Sequence, residues 1–388
     1  MYLCTMKSTR TVLFLASLFF LVSCGHQKQE PIIAPWGEVG DSADIEDEYD
    51  LEEIQAGGEL IILTMSGPET YYDYRGRQLG AQYMLAQRFA NKLGVRLRVD
   101  VCRDTTEMLA RLSAGDADLI AYPLRPDSLG WVVGSDKEEL RQELTAWYRP
   151  EMLDEVRKEE RFLLSARSVK RRVFSPMLNR AGGVISHYDA LFARYCQPIH
   201  WDWRLMAAQC YQESTFDPHA TSWAGAKGLM QIMPSTADHL GLPRDRMYDP
   251  ESSIAAAARY LRELEGYFMA VRDRQERIRF VLASYNGGRH HITDAMALAR
   301  RDGRNPHRWR DVEHYVLNLS NPQYYRDPLV KNGYMRGSET IDYVTRIMQR
   351  WDSYRGVRSP HIDASSGFVP QKATRRNRYD LPSNPKTP

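Results

Sequence analysis

The hydrophobic pattern of the 388-residue chain changes once, and this change limits what the chain can fold into. Between residues 58 and 122, short apolar runs alternate with stretches of helical spacing, in the order strand, helix, strand, helix, strand. From residue 186 onward the spacing is helical throughout. The chain is also long enough for two hydrophobic cores. We therefore predict an α+β protein of two domains, an N-terminal α/β domain with a parallel sheet and a C-terminal all-α domain.

The predicted N-terminal domain covers residues 57–165. Its strands and helices are expected at 59–64, 79–93, 95–99, 106–114 and 117–121. The stretches GELIILT, LGAQYMLAQRFANKLGV and LARLSAGDADLIA within it resemble the first lobe of periplasmic solute-binding domains. In that family the chain then crosses into a second lobe, and ligand is held between the two. The resemblance implies a single α/β lobe of this type.

The second lobe of that family is expected to be missing. Residues 131–133 and the helical stretch 137–147 follow the third strand almost at once, and they look like the return segment into the first lobe. Without a second lobe no closed ligand clamp forms, which favours a scaffold or docking role over ligand sensing. A linker at 166–185 would join this lobe to a second domain at 186–358.

The N-terminus has the pattern of a secretory signal. Lys7 and Arg10 precede an apolar run at 12–22, which is too short to span a membrane. The run leads into Ser23 and Cys24, and this ending resembles the lipobox of bacterial lipoproteins, in which the cysteine receives lipid. The resemblance implies a signal peptide that ends at Cys24 and a lipid anchor on that residue. A plain signal peptide is the alternative.

The mature protein is expected to be periplasmic and tethered to a membrane. Residues 25–56 contain acidic residues, Pro and Gly without apolar periodicity, which predicts a flexible acidic linker. Gly25 does not resemble the Asp of inner-membrane retention signals, which favours the periplasmic side of the outer membrane. Residues 359–388 are rich in Pro, Ser and Arg, and we expect a disordered tail.

Composition narrows the function classes. The chain has 52 Lys and Arg against 50 Asp and Glu, a net charge of +2, so there is no general basis for nucleic-acid binding. No His and Cys cluster has metal-ligand spacing, so neither a metal nor another cofactor is expected. The adjacent His290 and His291 are interpreted as surface residues. Cys102, Cys196 and Cys210 are interpreted as small buried hydrophobic residues.

Glu213 is the residue that we expect to carry out chemistry. It follows the apolar stripe of a helix at 203–211, for which Asp202 is a plausible N-cap. A carboxyl group beside apolar and aromatic groups is expected to have a raised pKa, because burial disfavours the charged form. That suits a general acid, which must hold its proton near neutral pH. The alternative is a solvated carboxylate at a helix end.

The residues that follow Glu213 favour the catalytic interpretation. Ser214 could donate a hydrogen bond to the carboxyl group or to a substrate. Gly228 allows a close approach of the backbone, Met230 offers an apolar floor, and Gln231 offers an amide for a sugar acetamide or hydroxyl. Together they predict a cleft that binds a sugar polymer.

Three further residues are candidates for substrate binding. Tyr285 and Asn286 end a helix, and they offer a ring to stack on a sugar and an amide to bind hydroxyls. Tyr343, near the start of the last helix, is a candidate wall of the cleft. The alternatives are a core aromatic residue for Tyr285 and a helix cap for Asn286.

Four motifs in this order resemble the Slt-type lytic transglycosylases, which are lysozyme-like enzymes that cleave peptidoglycan. They are Glu213-Ser214, GLMQ at 228–231, ASYNGG at 283–288, and ET at 339–340 followed by YV at 343–344. With the N-terminal lobe, the whole chain resembles the membrane-bound lytic murein transglycosylase F type with a shortened first domain. Ser253 departs from the Asn usual in the family's middle motif, which affects a minor contact.

The resemblance implies a reaction with one carboxylate, because Asp217 and Asp249 do not occupy a position that the family uses for a second one. Glu213 would protonate the glycosidic oxygen between N-acetylmuramic acid and N-acetylglucosamine. It would then take the proton of the muramyl 6-hydroxyl as that group closes onto C1, which leaves a 1,6-anhydromuramyl end. Two alternatives stay open: a muramidase that uses water, and a non-catalytic peptidoglycan-binding or muropeptide-sensing lipoprotein.

Overall fold

The computed structural model describes residues 49–125, 129–165, 183–357 and 360. Within them an N-terminal part with a small mixed sheet precedes a helical part, so the two-domain layout fits the prediction. The predicted signal peptide with Cys24, and most of the two linkers and of the tail, lie outside the described residues. Among the described residues, no helix is long and apolar enough to cross a membrane.

The N-terminal part contains six strands and five helices within its described residues. In chain order these are α1 (Leu51–Gly57), β1 (Glu59–Met65), β2 (Tyr72–Tyr74), β3 (Arg77–Leu79), α2 (Ala81–Leu93), β4 (Arg96–Cys102), α3 (Thr105–Ser113), β5 (Leu119–Ile120), β6 (Val132–Val133), α4 (Glu138–Trp147) and α5 (Pro150–Leu163).

The main sheet has the strand order β4-β1-β5-β6. β1 is parallel to both β4 and β5, as the alternation of strands and helices predicts, and β6 is antiparallel to β5. Ile62 is aligned with Val99 on one side and Leu119 on the other, and Ile62 and Leu119 are fully buried. Apolar burial on such a sheet is the main source of its stability.

The predicted linker at 25–56 is wrong at its C-terminal end, because α1 begins at Leu51. Asp50 and Glu53 form a reciprocal capping box at the start of α1. Ile54 is fully buried, and the Asp50 carboxylate accepts the backbone N–H groups of Glu139 and Leu140 at 2.8 and 3.1 Å. Contacts with α4, far along the chain, therefore order a segment whose composition alone indicates a linker.

The helical part has nine α-helices in its described residues. These are α6 (Asp189–Cys196), α7 (Trp203–Ser214), α8 (Pro234–His239), α9 (Pro250–Tyr267), α10 (Arg274–Gly287), α11 (Arg289–Arg301), α12 (Trp309–Asn318), α13 (Pro322–Tyr325) and α14 (Gly337–Tyr354), with short 3₁₀ turns at Gln197–Ile199 and Arg244–Arg246. α7 packs against α6 and α14, and α10 packs against α9, α11 and α14.

Two predictions about single residue types have different outcomes. Cys102, Cys196 and Cys210 are free and buried, as expected. The interpretation of His291 as a surface residue is wrong, because it is only 8% exposed, whereas His290 is exposed. Successive residues on a helix point about 100° apart, so two adjacent histidines on α11 face different environments.

The two parts of the chain meet at the carboxyl end of β1. Ser66 Oγ accepts the backbone N–H of Tyr334 at 2.8 Å. The ring of Tyr334 makes edge-to-face contacts with Tyr72 and with Tyr325, at centroid distances of 5.0 and 5.6 Å. Gly333 also fits closely, because a Cβ there would lie 2.6 Å from Ser66 Cβ. The helical part therefore covers the carboxyl end of this strand.

Candidate active site

Glu213 lies in the last turn of α7 and faces a cleft. Asp202 caps the start of α7 by accepting the N–H of Arg204 at 3.0 Å, as the sequence predicts. The Glu213 side chain is 8% exposed and lines a cleft of about 150 Å³. The helix therefore presents one nearly buried carboxyl group to a cavity that is large enough for part of a ligand.

Tyr343 fixes the orientation of this carboxyl group. Its phenolic oxygen donates a hydrogen bond to Glu213 Oε1 at 2.6 Å and accepts one from Gln209 Nε2 at 3.1 Å. Burial, followed by the charges of Glu213 and Tyr285, raises the pKa of Tyr343 well above its usual range. The phenol therefore keeps its proton and remains a donor to Glu213 throughout the physiological pH range.

Tyr285 and Asn286 line the same cleft as Glu213. Tyr285 Oη donates to the carbonyl oxygen of Met230 at 2.8 Å, which fixes the ring. Asn286 Oδ1 accepts from Thr340 Oγ1 at 2.8 Å, and its Nδ2 makes no hydrogen bond with the described residues. That amide nitrogen is thus available as a donor to a ligand.

Gln231 also lines the cleft, although its amide nitrogen is used within the protein. Its Nε2 donates to the carbonyl oxygens of Ala220 and Gly228 at 3.1 and 3.0 Å. Its φ of +47° lies in the left-handed region. These contacts hold the loop that carries Gly228 and leave the Gln231 carbonyl oxygen for a ligand.

Three of the predicted site residues, Ser214, Met230 and Tyr343, are not among the residues that line the cleft. Ser214 is fully buried, and its hydroxyl donates to the carbonyl of Cys210 in its own helix at 3.3 Å. The Met230 side chain is also fully buried, and the residue supports the cleft through its carbonyl instead. Ser253, which stands where the family usually has Asn, contacts this loop, because its hydroxyl accepts the N–H of Met230 at 3.3 Å.

The predicted role of Tyr343 as a cleft wall is replaced by a different one. Its side chain is 4% exposed and lies behind Glu213 rather than among the residues that line the cleft. Its partner Gln209 was not anticipated from the sequence, although it lies four residues before Glu213 and therefore one turn away on the same face.

The N-terminal part also contributes to the cleft, and this contribution was not predicted from the sequence. Asp73, Arg75 and Gly76 belong to the hairpin β2–β3 and line the cleft together with Glu213. Arg75 and Gly76 form the two-residue turn, with φ values of +52° and +75°. Positive φ at both positions is typical of a type I′ hairpin turn, and Gly76 at the second turn position was the one weak signal that the sequence offered.

The hairpin brings both a carboxylate and a cation to the cleft. The Asp73 carboxylate accepts the N–H of Gly76 at 3.0 Å, and burial raises its pKa. Burial alone would lower the pKa of the Arg75 guanidinium, but Tyr74, Glu213 and Glu339 together raise it above its usual range. Arg75 is therefore a cation at the edge of a cleft whose other charged side chains, among the described residues, are acidic.

Comparison with known proteins gives matches over both parts of the chain. The sequence model of the Transglycosylase SLT domain matches residues 191–307, a span that contains Glu213, Gln231, Tyr285 and Asn286. Two curated relatives are named membrane-bound lytic murein transglycosylase F. The one from Serratia proteamaculans is 30% identical over 76% of this chain and 84% of its own length. The one from Citrobacter koseri is 29% identical over 76% of this chain and 79% of its own.

Among solved structures, a match is the 70 kDa soluble lytic transglycosylase SLT70 from Escherichia coli. It is 26% identical over 43% of this chain and 24% of its own length, with a TM-score of 0.29.

Proposed function

Since the chain belongs to the membrane-bound lytic murein transglycosylase F family and is a peptidoglycan lytic transglycosylase, we propose that Glu213 is the carboxyl group that carries out its reaction. The observation that carries this assignment is the nearly buried Glu213 side chain, which lines the cleft and is held by the hydrogen bond from Tyr343. A group fixed in this way can be aligned with one bond of a bound glycan.

In the first step Glu213 acts as a general acid. It gives its proton to the glycosidic oxygen between N-acetylmuramic acid and N-acetylglucosamine as the bond from that oxygen to C1 breaks. The acetamide oxygen of the substrate stabilises the positive charge that develops at C1.

In the second step Glu213 acts as a general base. Its carboxylate takes the proton of the muramyl 6-hydroxyl while that oxygen forms a bond to C1, which leaves a 1,6-anhydromuramyl end and regenerates the acid. No water is consumed, and the attacking oxygen belongs to the substrate. An intramolecular nucleophile has a large proximity advantage over water, so a cleft that excludes water favours this product.

We assign substrate contacts to the residues that line the cleft beside Glu213. The Tyr285 ring offers an apolar face to a sugar, the Asn286 amide nitrogen offers a donor, and the Gln231 carbonyl offers an acceptor. The Tyr285 hydroxyl contributes indirectly, because it fixes the Met230 backbone of the same loop.

The test is mass spectrometry of the soluble products released from peptidoglycan sacculi by the purified protein without residues 1–24. We expect anhydromuropeptides from the unmodified protein and none from Glu213→Gln, which keeps the size of the side chain and removes its acid. Glu263→Gln, on a solvent-facing ion pair of α9 with His239, is the matched control and should release the same products at an unchanged rate. Anhydromuropeptides from Glu213→Gln would overturn the assignment.

Asp73 gives a specific reason to keep the water-using muramidase as a second candidate mechanism. It is a second carboxylate at the cleft, and glycosidases that use water usually employ two. Asp73 also holds the hairpin turn through Gly76, which is a structural role. If Asp73 activated water, the unmodified protein would release reducing ends and Asp73→Asn would abolish them. Under our proposal, Asp73→Asn still gives anhydro products.

We propose a scaffold role for the N-terminal part, in place of ligand sensing. In support of this, Ser66, directly after the carboxyl end of β1, already accepts a hydrogen bond from Tyr334 of the helical part. In addition, the hairpin β2–β3 supplies part of the cleft. Calorimetric titration of the protein with soluble muropeptides tests this role: a site on this part would bind them even when the cleft is filled by a neutral sugar oligomer.

The relatives named membrane-bound support association with a membrane and action in the periplasm. We propose that the attachment is a lipid on Cys24, on the periplasmic side of the outer membrane. Metabolic labelling with a radioactive fatty acid should label the protein. Cys24→Ser should abolish this label, and the variant should no longer be found in the membrane fraction. Label that persists in Cys24→Ser would place the lipid elsewhere.

A further inference from the structure

Arg75 is a cation that the protein itself leaves unpaired. Its guanidinium makes neither a hydrogen bond nor an ion pair with the residues that the structure describes, and its closest aromatic contact is the Tyr74 ring, 5.5 Å from Cζ. Its side chain is exposed, yet it lines the same cleft as Glu213. An arginine with five free donors beside a catalytic carboxyl group is well placed to bind an anion from solution.

The backbone at Arg75 is unfavourable for an arginine. Its φ of +52° is a conformation that side chains with a Cβ disfavour by about 1 kcal/mol, and Gly, Asn or Asp is the usual choice in such a turn. Strain of this kind is most often found where a side chain has a function. A glycine at position 75 would serve the turn better, so the arginine has to be explained by what its side chain reaches.

The hairpin that carries Arg75 is held from the helical part rather than free to move. Tyr74 Oη donates to Glu339 Oε2 at 2.7 Å, and the Tyr74 ring stacks on Trp223 with centroids 5.9 Å apart and planes 8° apart. On the other strand, Arg77 Nε donates to the carbonyl of Ala224 at 3.0 Å. These three contacts hold the turn over the cleft, so the backbone that carries the guanidinium is in place before substrate arrives.

The substrate of the proposed reaction has its negative charge in one place. The sugar rings of the glycan are neutral, whereas each muramyl residue has a lactyl substituent. This substituent ends in a free carboxylate or in a peptide that carries carboxylates. Arginine binds carboxylates through two parallel hydrogen bonds, which gives both affinity and orientation. A cation beside Glu213, carried by an anchored hairpin, can therefore distinguish a muramyl residue from the neutral sugar that alternates with it.

We propose that Arg75 binds a carboxylate of the muramyl substituent, so that the N-terminal part contributes a substrate-binding and specificity-determining residue to the cleft of the helical part. This inference rests on the proposed function. It explains why the hairpin is anchored on Glu339 and Trp223, and it gives the N-terminal part a direct share in selecting which bond faces Glu213.

The first experiment compares kcat and KM of the full protein for two substrates, peptide-bearing strands and peptide-free strands with free lactyl carboxylates. The variants are Arg75→Gly, which suits the backbone, Arg75→Lys, which keeps the charge, and Arg96→Gln as the matched control. Arg96 lies on β4, and its side chain is 84% exposed. For Arg75→Gly we expect KM to rise about 10-fold or more, because a hydrogen-bonded charge is lost, with little change in kcat. Arg75→Lys should recover part of the loss, and Arg96→Gln should match the unmodified protein.

The two substrates identify the source of the carboxylate. If KM of Arg75→Gly rises for peptide-bearing strands alone, Arg75 binds a carboxylate of the peptide. If it rises for peptide-free strands alone, Arg75 binds the lactyl carboxylate. If it rises for both substrates, Arg75 binds whichever of the two carboxylates is present. An unchanged KM for both substrates overturns the proposal. A kcat of Arg75→Gly that increases for both substrates also overturns the proposal, because the Arg75 side chain would then obstruct the cleft.

The second experiment measures binding in the Glu213→Gln background by calorimetry, and so it does not depend on the reaction. Arg75→Gly should raise the Kd for peptide-free muramyl strands about 10-fold and leave the Kd for a neutral N-acetylglucosamine oligomer unchanged. Equal weakening for both ligands would mean that the variant alters the shape of the cleft, and the proposal would fail. If the unmodified protein released no anhydro products, the proposed function would be wrong. The binding measurement would still decide whether Arg75 binds a carboxylate.

Discussion

Tyr343 donates a hydrogen bond to Glu213 over 2.6 Å, although 130 positions separate the two residues in the chain. The contact joins the end of α7 to the start of α14, and Gln209 extends it by donating to the same phenolic oxygen. The carboxyl group that we assign to the reaction is therefore held by two elements of the helical part.

Tyr343→Phe should lower kcat about 10-fold and leave KM nearly unchanged, because the variant removes the hydrogen bond that orients Glu213 and no group that touches substrate. Initial rates of anhydromuropeptide release measure both constants. The matched control is Tyr315→Phe, which removes a 2.9 Å hydrogen bond to Asp302 outside the cleft and should leave kcat unchanged. A change in KM alone would instead make Tyr343 a wall of the substrate site.

Elements with a strong local pattern could be predicted from the sequence. The strand β1 and the helices α2 and α3 lie within two residues of their predicted positions, because each has its own apolar periodicity. The strand β4 begins one residue after its predicted start and ends three residues beyond its predicted end. The stop of α2 at Gly94 was also recognisable, since its φ of +78° is the left-handed conformation that glycine adopts easily.

The hairpin β2–β3 and the helix α1 could not be predicted in the same way. Each strand of the hairpin has three residues, and its main partners, Trp223, Tyr334 and Glu339, lie in the helical part. Short elements that depend on distant partners leave little local signal, because tertiary contacts decide their conformation. Arg75 was missed for this reason, and it entered the site only with the structure.

The error at Ser214 has a geometric cause that the sequence does contain. Glu213 and Ser214 are adjacent on α7, so their side chains point about 100° apart and cannot both face one narrow cleft. We therefore expect Ser214→Ala to lower the free energy of unfolding by about 0.5–1 kcal/mol and to change kcat and KM by less than about twofold. Urea unfolding and initial rates measure the two effects. A rise in KM well beyond this twofold limit would show that Ser214 reaches the substrate.

Gly228→Ala should destabilise the loop that carries Gln231. The φ of Gly228 is +77°, and an added Cβ would collide with the carbonyl oxygen of Met247 and lie 3.3 Å from Ser253 Oγ. Backbone strain and overpacking together are expected to cost about 3 kcal/mol or more in the free energy of unfolding, measured in urea.

The control for this loop is Gly241→Ala. Gly241 has a similar φ of +66°, but a Cβ there would meet no atom within 4 Å. We expect a loss of only about 1 kcal/mol, from backbone strain alone. Equal losses for the two variants would contradict the role of the close approach between Gly228 and Met247.

His291 should make the stability of the protein depend on pH. Burial lowers its pKa to about 4, and its Nδ1 has no hydrogen-bond partner among the described residues. Because the folded pKa lies below the value of about 6.5 in an unfolded chain, the unfolded state binds the additional proton between these two values. The free energy of unfolding should therefore fall as the pH is lowered from about 6.5 to about 4, by up to about 3 kcal/mol. Urea unfolding at a series of pH values measures this slope.

His291→Gln should flatten the dependence of the unfolding free energy on pH, whereas His290→Gln, on the exposed side of α11, should leave it unchanged. An equally steep slope in His291→Gln would mean that other groups are responsible for the loss of stability in acid.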